Sequence, residues 1–313
     1  MTIKFNFYDI YGFALPGFLL LAVLWLPFGL IDNQWPDAEF SSALVGVIFA
    51  YFAGHVLQTV AQNAIPSRFI DGRFPSVVFL DKGDENFTAE FKKRLAHQIR
   101  TTFDLDVALD ASGREADKVR NDAFFLCRSA LIKSKTVVYP EQFEGLYALM
   151  RGLSAAFGIA VVYYLGWAYA GLLHRFRPSV FGSWHWSGLA VLAGIVIASF
   201  ALVAADRFKD PTKYPKSWPK YSKCVMIGSL LLAAFATGYY LGLSNVRTSE
   251  HQGQFIAAAV FSFFASERCY AGYKRFAEEF ARAVYRDFSN YEKPTKPQQA
   301  EEKLDDNNST DEA

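Results

Sequence analysis

No charged residue appears for twenty-two positions between Gly152 and Leu173, while the turns just before carry Glu141, Glu144 and Arg151 at helical spacing. At 1.5 Å per residue the apolar run covers a hydrocarbon core of about 30 Å. The pattern over 139–173 therefore predicts one helix that passes from water into lipid, joining a soluble region to a membrane body. Similar runs recur. Gly12 to Ile31 reads as a first span, with Pro16-Gly17 a turn or so inside it, where lost backbone bonds kink a helix unless neighbours or water satisfy them. Ser41 to Ile65 reads as a second, the 139–173 helix as a third, Trp184 to Ala205 as a fourth and Cys224 to Ser244 as a fifth. Gln254 to Ser266 is too short to cross alone, but a helix continuing through Glu267-Arg268 to Tyr273 makes a sixth, with Arg268 reaching toward the interface.

The stretch Pro66 to Tyr139 has a different pattern. Val77 to Leu80 reads as a short buried strand. Phe87, Phe91, Leu95, Ile99 and Phe103 recur every fourth residue and predict an apolar stripe, opposite a face holding Lys92, Lys93, Arg94 and Arg100. Asp117 to Lys135 predicts a second helix, with Phe124, Phe125, Leu126 and Ala130 among its buried residues. Past the sixth span, Tyr273, Phe276, Phe280, Val284 and Phe288 repeat at three and four, which extends that helix into water with an apolar face to cover. Residues 293–313 are polar, lack aromatics and read as a disordered tail.

The expected fold is thus all-α: a polytopic membrane helix bundle of about six spans with a mainly helical cytosolic insert. Its parts are a membrane hairpin over 1–65, the insert over 66–139, a bundle of about four spans over 140–273, a cytosolic amphipathic helix over 274–292 and the tail. Composition agrees, with 52% apolar and 17% aromatic residues at a mean hydropathy of only +0.09, so that apolar and charged residues must be segregated. The N-terminal run has no small-x-small cleavage site before Asp32 and reads as a retained span. Orientation follows from Lys and Arg, which favour cytoplasmic loops. The loop 206–223 sets six basic residues against Asp206 and Asp210, so it is placed inside together with the insert and both termini. Arg175 and Arg177 run against this but are outnumbered. In the same loop Pro211, Pro215 and Pro219 argue against helix, and Lys213, Lys216, Trp218 and Lys220 interleave base and ring in the manner of a segment lying on phospholipid headgroups.

Candidate chemistry is sparse. His55, Gln58 and Gln62 fall at i, i+3 and i+7 of the second span and share one helix face. Unpaired polar groups in hydrocarbon cost several kcal/mol, so this face is expected to look inward, either to interhelical hydrogen bonds or to a polar path. Cys127, Cys224 and Cys269 match no metal or disulfide spacing and read as buried apolar residues. His97 reads as a surface imidazole and His185, between Trp184 and Trp186, as part of an interfacial belt. No nucleophile elbow, phosphate-binding glycine loop or His-Glu metal pattern is present. Neither an enzyme nor a cofactor is therefore expected. The net charge of +1 gives no general reason to expect nucleic acid.

Three motifs carry a resemblance. They are Phe7-Tyr8-Asp9-x-x-Gly12-x-x-x-Pro16-Gly17, then Tyr51-x-x-Gly54-His55-x-x-Gln58, then Phe143-x-Gly145-Leu146-Tyr147-x-x-x-Arg151-Gly152-Leu153-Ser154-Ala155-Ala156-Phe157. Together they resemble a loose group of uncharacterised bacterial inner-membrane proteins linked to antiphage defence loci. The likeness covers the first three spans and, loosely, the Arg-rich C-terminal helix. It implies a multi-pass protein of the bacterial inner membrane and supplies no catalytic residues.

The functional expectation is a membrane interaction or sensor/effector protein, such as the membrane subunit of a bacterial multi-protein defence system. Its insert and C-terminal helix would bind a protein partner or a second copy. Arg151 and Gly152 are the expected coupling point between soluble and membrane parts. The alternative is a channel or transporter subunit with His55, Gln58 and Gln62 lining a path, although the spans hold few ionisable groups and no inverted repeat is evident.

Overall fold

The computed structural model describes residues 9–35, 40–65, 69–70, 72–134, 139–176 and 218–291. Among these the protein is helical, with one isolated bridge pairing Ile70 and Arg73. A π-helical turn, Asp9–Ala14, leads into α1 (Leu15–Asp32). There follow α2 (Phe40–Ala64), the short α3 (Pro75–Val78), α4 (Ala89–Phe103), α5 (Arg114–Lys133), α6 (Tyr139–Phe176), α7 (Trp218–Ser244) and α8 (Gln252–Phe288). Among the described residues, four segments are long and apolar enough to cross a membrane: Asp9–Asp32, Leu44–Ala64, Gln142–His174 and Ile227–Ser244. The expected fourth span, residues 184–205, lies outside the described residues, as do the tail and Lys213 and Lys216.

The chain divides into two compact units, Met1–Ser67 with Glu141–Ala277, and Arg68–Pro140 with Glu278–Ala313. In the first, the apolar unit, α1, α6 and α8 bury Val23, Ile31, Tyr163, Tyr164, Trp167, Phe255 and Ala259 against one another. Glycines set how closely the helices approach. A Cβ on Gly17 would collide with the Ala50 carbonyl of α2, and one on Gly54 with the Phe13 carbonyl. Between α6 and α7, Gly166 and Gly238 play the same part against Phe235 and Tyr163. Small residues at helix crossings allow the close van der Waals contact that replaces the hydrophobic effect where the solvent is lipid. Ser154 and Ser266 tie α6 to α8 reciprocally, each hydroxyl donating to the other's carbonyl at 3.1 and 2.9 Å.

The second unit is built like a small water-soluble domain. Thr88 caps α4 by accepting from the Phe91 amide at 3.2 Å, and Asp104 ends the helix in the left-handed region at φ 55°. Leu95 and Ile99 are buried along the expected stripe. The C-terminal turns of α8 supply Phe280, Val284, Tyr285 and Phe288. The Tyr285 hydroxyl donates to the Ser76 carbonyl at 2.6 Å, and Gln98 Nε2 donates to the carbonyls of Phe288 and Tyr291 at 2.8 and 2.9 Å. The bond to Phe288 reaches the last carbonyl of α8, one of those that a helix C-terminus leaves open.

Four local expectations need correction. Residues 77–80 are buried, but they form the end of α3 and a turn, because Pro75 fits the first helical position and the Phe74 carbonyl accepts from both Val77 and Val78. On α5 the buried arc runs through Arg120, Phe124, Cys127 and Leu131; Phe125 and Leu126, one and two steps of 100° round from Phe124, are 54% and 38% exposed. Lys92 does not lie on the basic face of α4 but is 2% exposed, donating to the carbonyls of Asp81 and Asp84. Burial lowers its pKa below the ordinary lysine value. Finally, α7 begins at Trp218, so Trp218 and Lys220 belong to a helix and not to an extended loop. Pro219 is its second residue, where a missing N–H costs no helical bond.

Arg120 is the electrostatic centre of this unit. Its side chain is 1% exposed, its Nη2 donates to the carbonyls of Ala108, Leu109 and Ala111 at 3.2, 3.1 and 2.7 Å, and its Nη1 pairs with Asp81. One side chain thereby fixes the loop between α4 and α5 and the turn after α3. Arg120→Ala, which leaves three carbonyls without their donor and Asp81 with Arg73 alone, is expected to lower the stability of the unit by about 3–5 kcal/mol. The exposed control Arg100→Ala should change it by less than about 0.5 kcal/mol. Limited proteolysis of the 68–140 region across a temperature series separates the two, and equal protection in both variants would contradict this role.

Candidate functional site

The site worth building is where the first span bends. Pro16 has no N–H to give to the carbonyl four residues back, which belongs to Gly12. In water that carbonyl would be solvated, but among apolar helices it needs a protein donor. Gln58 of α2 supplies one, its Nε2 donating to the Gly12 carbonyl at 2.7 Å. The second proton of the same amide goes to the Ala148 carbonyl of α6, also at 2.7 Å. The amide oxygen is used as well, accepting from Arg151 Nε at 3.2 Å and Nη2 at 3.1 Å. A glutamine amide offers two donors and one acceptor oxygen, and Gln58, 2% exposed, uses all three to join α1, α2 and α6.

Arg151 completes the knot. It is 7% exposed, its guanidinium lies 5.7 Å from the Tyr147 ring centre, and it faces the Tyr273 side chain of α8. Tyr273 in turn packs against Tyr147 and Tyr270, at 6.1 and 6.2 Å between ring centres. The amide oxygen and phenol beside the cation are neutral, and the aromatic face adds cation–π attraction. Gly152 is what lets α6 lie flush on this arrangement. A Cβ there would fall 2.7 Å from Gln58 Nε2 and 2.8 Å from the Pro16 ring.

The three residues expected to share a polar face are used differently. Gln58 points into the knot. His55 is exposed and stacked on Phe13 at 3.8 Å, with Tyr51 edge-on at 4.6 Å. Gln62 is exposed near the end of α2. The pair Arg151 and Gly152 meets Gln58 directly. Residues of all three sequence motifs thus converge: Gly12, Pro16, Gly17, Gly54, Gln58, Arg151 and Gly152.

The same device occurs a second time, and there the sequence reading missed it. Pro27 lies inside α1 and leaves the Val23 carbonyl without its helical donor. The Tyr164 hydroxyl of α6 donates to that carbonyl at 3.0 Å, and Tyr163 donates to the neighbouring Leu24 carbonyl at 3.1 Å. The signal was present as a proline in one apolar run and a tyrosine pair in another, but nothing in the spacing linked them.

Chemically, the knot holds one buried cation and a saturated amide. It offers no nucleophile with a base, and among the described residues no cluster of His, Cys, Asp and Glu is arranged to hold a metal ion. No protein family, curated protein or solved structure matches the chain.

Two substitutions test the geometry. Gln58→Leu strands the Gly12 carbonyl and the Arg151 cation together, with an expected cost of about 3–5 kcal/mol. Gly152→Ala forces Gln58 or Pro16 to shift and should cost about 1–3 kcal/mol. In contrast Gly46→Ala, in α2 where an added Cβ meets nothing within 4 Å, should be neutral or stabilising by up to about 1 kcal/mol. Thermal unfolding of the detergent-solubilised protein ranks the three variants, and a Gln58→Leu melting point equal to that of the unsubstituted protein would show the knot to be dispensable.

Proposed function

We propose that the protein is an integral membrane sensor or effector of the bacterial inner membrane, in which the Gln58–Arg151 knot couples a cytosolic unit to a membrane bundle. On this reading six helices cross, including residues 184–205 and the first part of α8, and both termini face the cytosol. The unit containing α3, α4 and α5 is the cytosolic insert and receives a protein partner or a second copy. Lys213, Lys216, Trp218 and Lys220 contact lipid headgroups. The resemblance noted above supports a place in a multi-protein defence system.

One observation carries the proposal. α8 runs unbroken from Gln252 to Phe288, with Ser266 and Tyr273 engaged by α6 in the apolar unit and Tyr285 and Phe288 buried in the other. The helix that holds the Arg151 knot is therefore also a core helix of the soluble-type unit. On this reading a change in the packing of Tyr285 and Phe288 passes along α8 to Tyr273, which packs on Tyr147 of α6. The upper face of α8 supports its placement in lipid, since Ile256, Val260, Phe261, Phe263 and Phe264 are all between 46% and 67% exposed. The transport reading draws less support, because Gln58 is saturated by neighbouring helices and has no donor or acceptor left for a solute.

Topology and coupling are tested separately. In inverted membrane vesicles, a single cysteine at Arg100→Cys should react with an impermeant maleimide and one at Arg247→Cys should not, in a background lacking the three native cysteines; the reverse pattern would refute the orientation. For coupling, Gly152→Leu or Arg151→Ala should leave the protein inserted while raising hydrogen exchange in the 278–288 part of α8 by about tenfold or more. Unchanged exchange there in both variants would remove the knot from signal transfer.

A further inference from the structure

The soluble-type unit contains a cleft that none of the foregoing uses. It has a volume of about 400 Å³ and lies between the turn Gly72–Phe74 and one face of α5. Its floor is apolar, formed by Phe74 and the buried Val77. Gly72 sits at φ +75°, and a Cβ there would meet nothing within 4 Å, so the mouth is open on that side. Along α5 the lining residues are Arg114, Asp117, Lys118, Asn121 and Asp122, the spacing of a single helix face.

The charges of this cleft are arranged by position. Asp117 is committed to the wall, 3.4 Å from Arg73 and 3.7 Å from Arg120, and Arg73 is also held by Asp81 at 2.6 Å. At one end stands the exposed Arg114, and the exposed Lys118 lies one turn along, midway between Arg114 and Asp122. Lys118 is paired only with Glu115, 62% and 81% exposed, 3.2 Å apart, a type of contact worth about 0–1 kcal/mol that a ligand anion readily displaces. At the other end are Asn121 and the exposed carboxylate of Asp122. From Arg114 to Asp122 the helix rises about 12 Å. The cleft therefore offers two cations over the first turn of its α5 wall, an aromatic and aliphatic floor, and an amide with a hydrogen-bond acceptor one turn beyond Lys118.

We propose that this cleft is a binding site for a nucleoside monophosphate. The phosphate lies against Arg114 and Lys118, where charge-assisted bonds are strongest. The base covers Phe74 and Val77. Its edge meets Asn121 and Asp122, and because an ionised carboxylate only accepts hydrogen bonds, a base carrying an exocyclic amino group is preferred over uracil, whose single N3–H is flanked by two carbonyl oxygens that the carboxylate repels. The volume falls in the range of small-molecule sites, about 300–1,000 Å³. Binding is read directly, so the proposal holds or fails independently of the membrane reading above.

The test is calorimetric titration of the full-length protein in lipid nanodiscs with AMP, UMP, adenosine and inorganic phosphate. AMP should bind with a Kd below about 1 mM, and at least about tenfold more tightly than phosphate, adenosine or UMP. The double variant Arg114→Glu, Lys118→Glu alters only exposed positions and should keep the melting temperature of the unliganded protein while losing at least about tenfold in AMP affinity. Asp122→Asn should narrow the preference for AMP over UMP. Absence of AMP binding at millimolar concentration, equal binding of phosphate alone, or AMP affinity unchanged in the double variant would each overturn the proposal.

Discussion

A proline within a helix leaves a carbonyl with no helical donor, and among apolar helices no water is at hand to replace it. The architecture of the apolar unit follows from how those carbonyls are met. Pro16 opens one in the π-helical turn before α1 and Pro27 one within α1, and each is closed from a different helix, by Gln58 of α2 and by Tyr164 of α6. An unsatisfied carbonyl in hydrocarbon costs several kcal/mol, so these bonds fix register as well as contribute stability. A slide of α6 by one turn relative to α1 would break the Tyr164 contact and, through Ala148 and Arg151, the Gln58 contacts too.

The soluble-type unit solves a related problem with the opposite chemistry. Its irregular segments carry carbonyls turned inward, and buried cations satisfy them. Arg120 collects three from residues 108–111 and Lys92 collects those of Asp81 and Asp84. Burying charge is costly unless a counter-ion is near, and here Asp81 and Asp84 provide one. Lys92 and Arg120 thereby tie the turn after α3 and the loop before α5 to an apolar core that includes Phe79, Leu80, Leu95, Ile99 and Phe124.

What could be read from the sequence divides along the same line. Helices, and four of the six expected membrane-length runs, were legible because periodicity and run length report directly on burial. Gln58 could be singled out because a polar residue in an apolar run demands a partner, but the identity of that partner depends on which helices touch, which no single segment encodes. His55 and Gln62 illustrate the limit. They lie within one arc with Gln58, yet α1 and α6 cover only Gln58, and the others stay exposed. Lys92 shows the converse, since a lysine flanked by Lys93 and Arg94 looks like a solvated face until the 81–84 turn is placed over it. Phe125 and Leu126 were assigned to a core by their type alone, and the arc through Phe124 and Cys127 excludes them.

The convergence of motifs gives the knot a further property. Gly152 makes room for Gln58, Gln58 answers the carbonyl that Pro16 opened, and Arg151 takes the amide oxygen that remains. Each residue matters only if the others are present, so their effects on stability should couple strongly within the set and weakly with the Pro27–Tyr164 pair farther along α1. An amide suits the centre of such a set better than a carboxylate would. Glutamate could balance Arg151 but would turn acceptor oxygens toward the carbonyls of Gly12 and Ala148, trading one buried charge for two repulsive contacts. The amide alone donates twice and accepts once, and the backbone of three helices is arranged around that count.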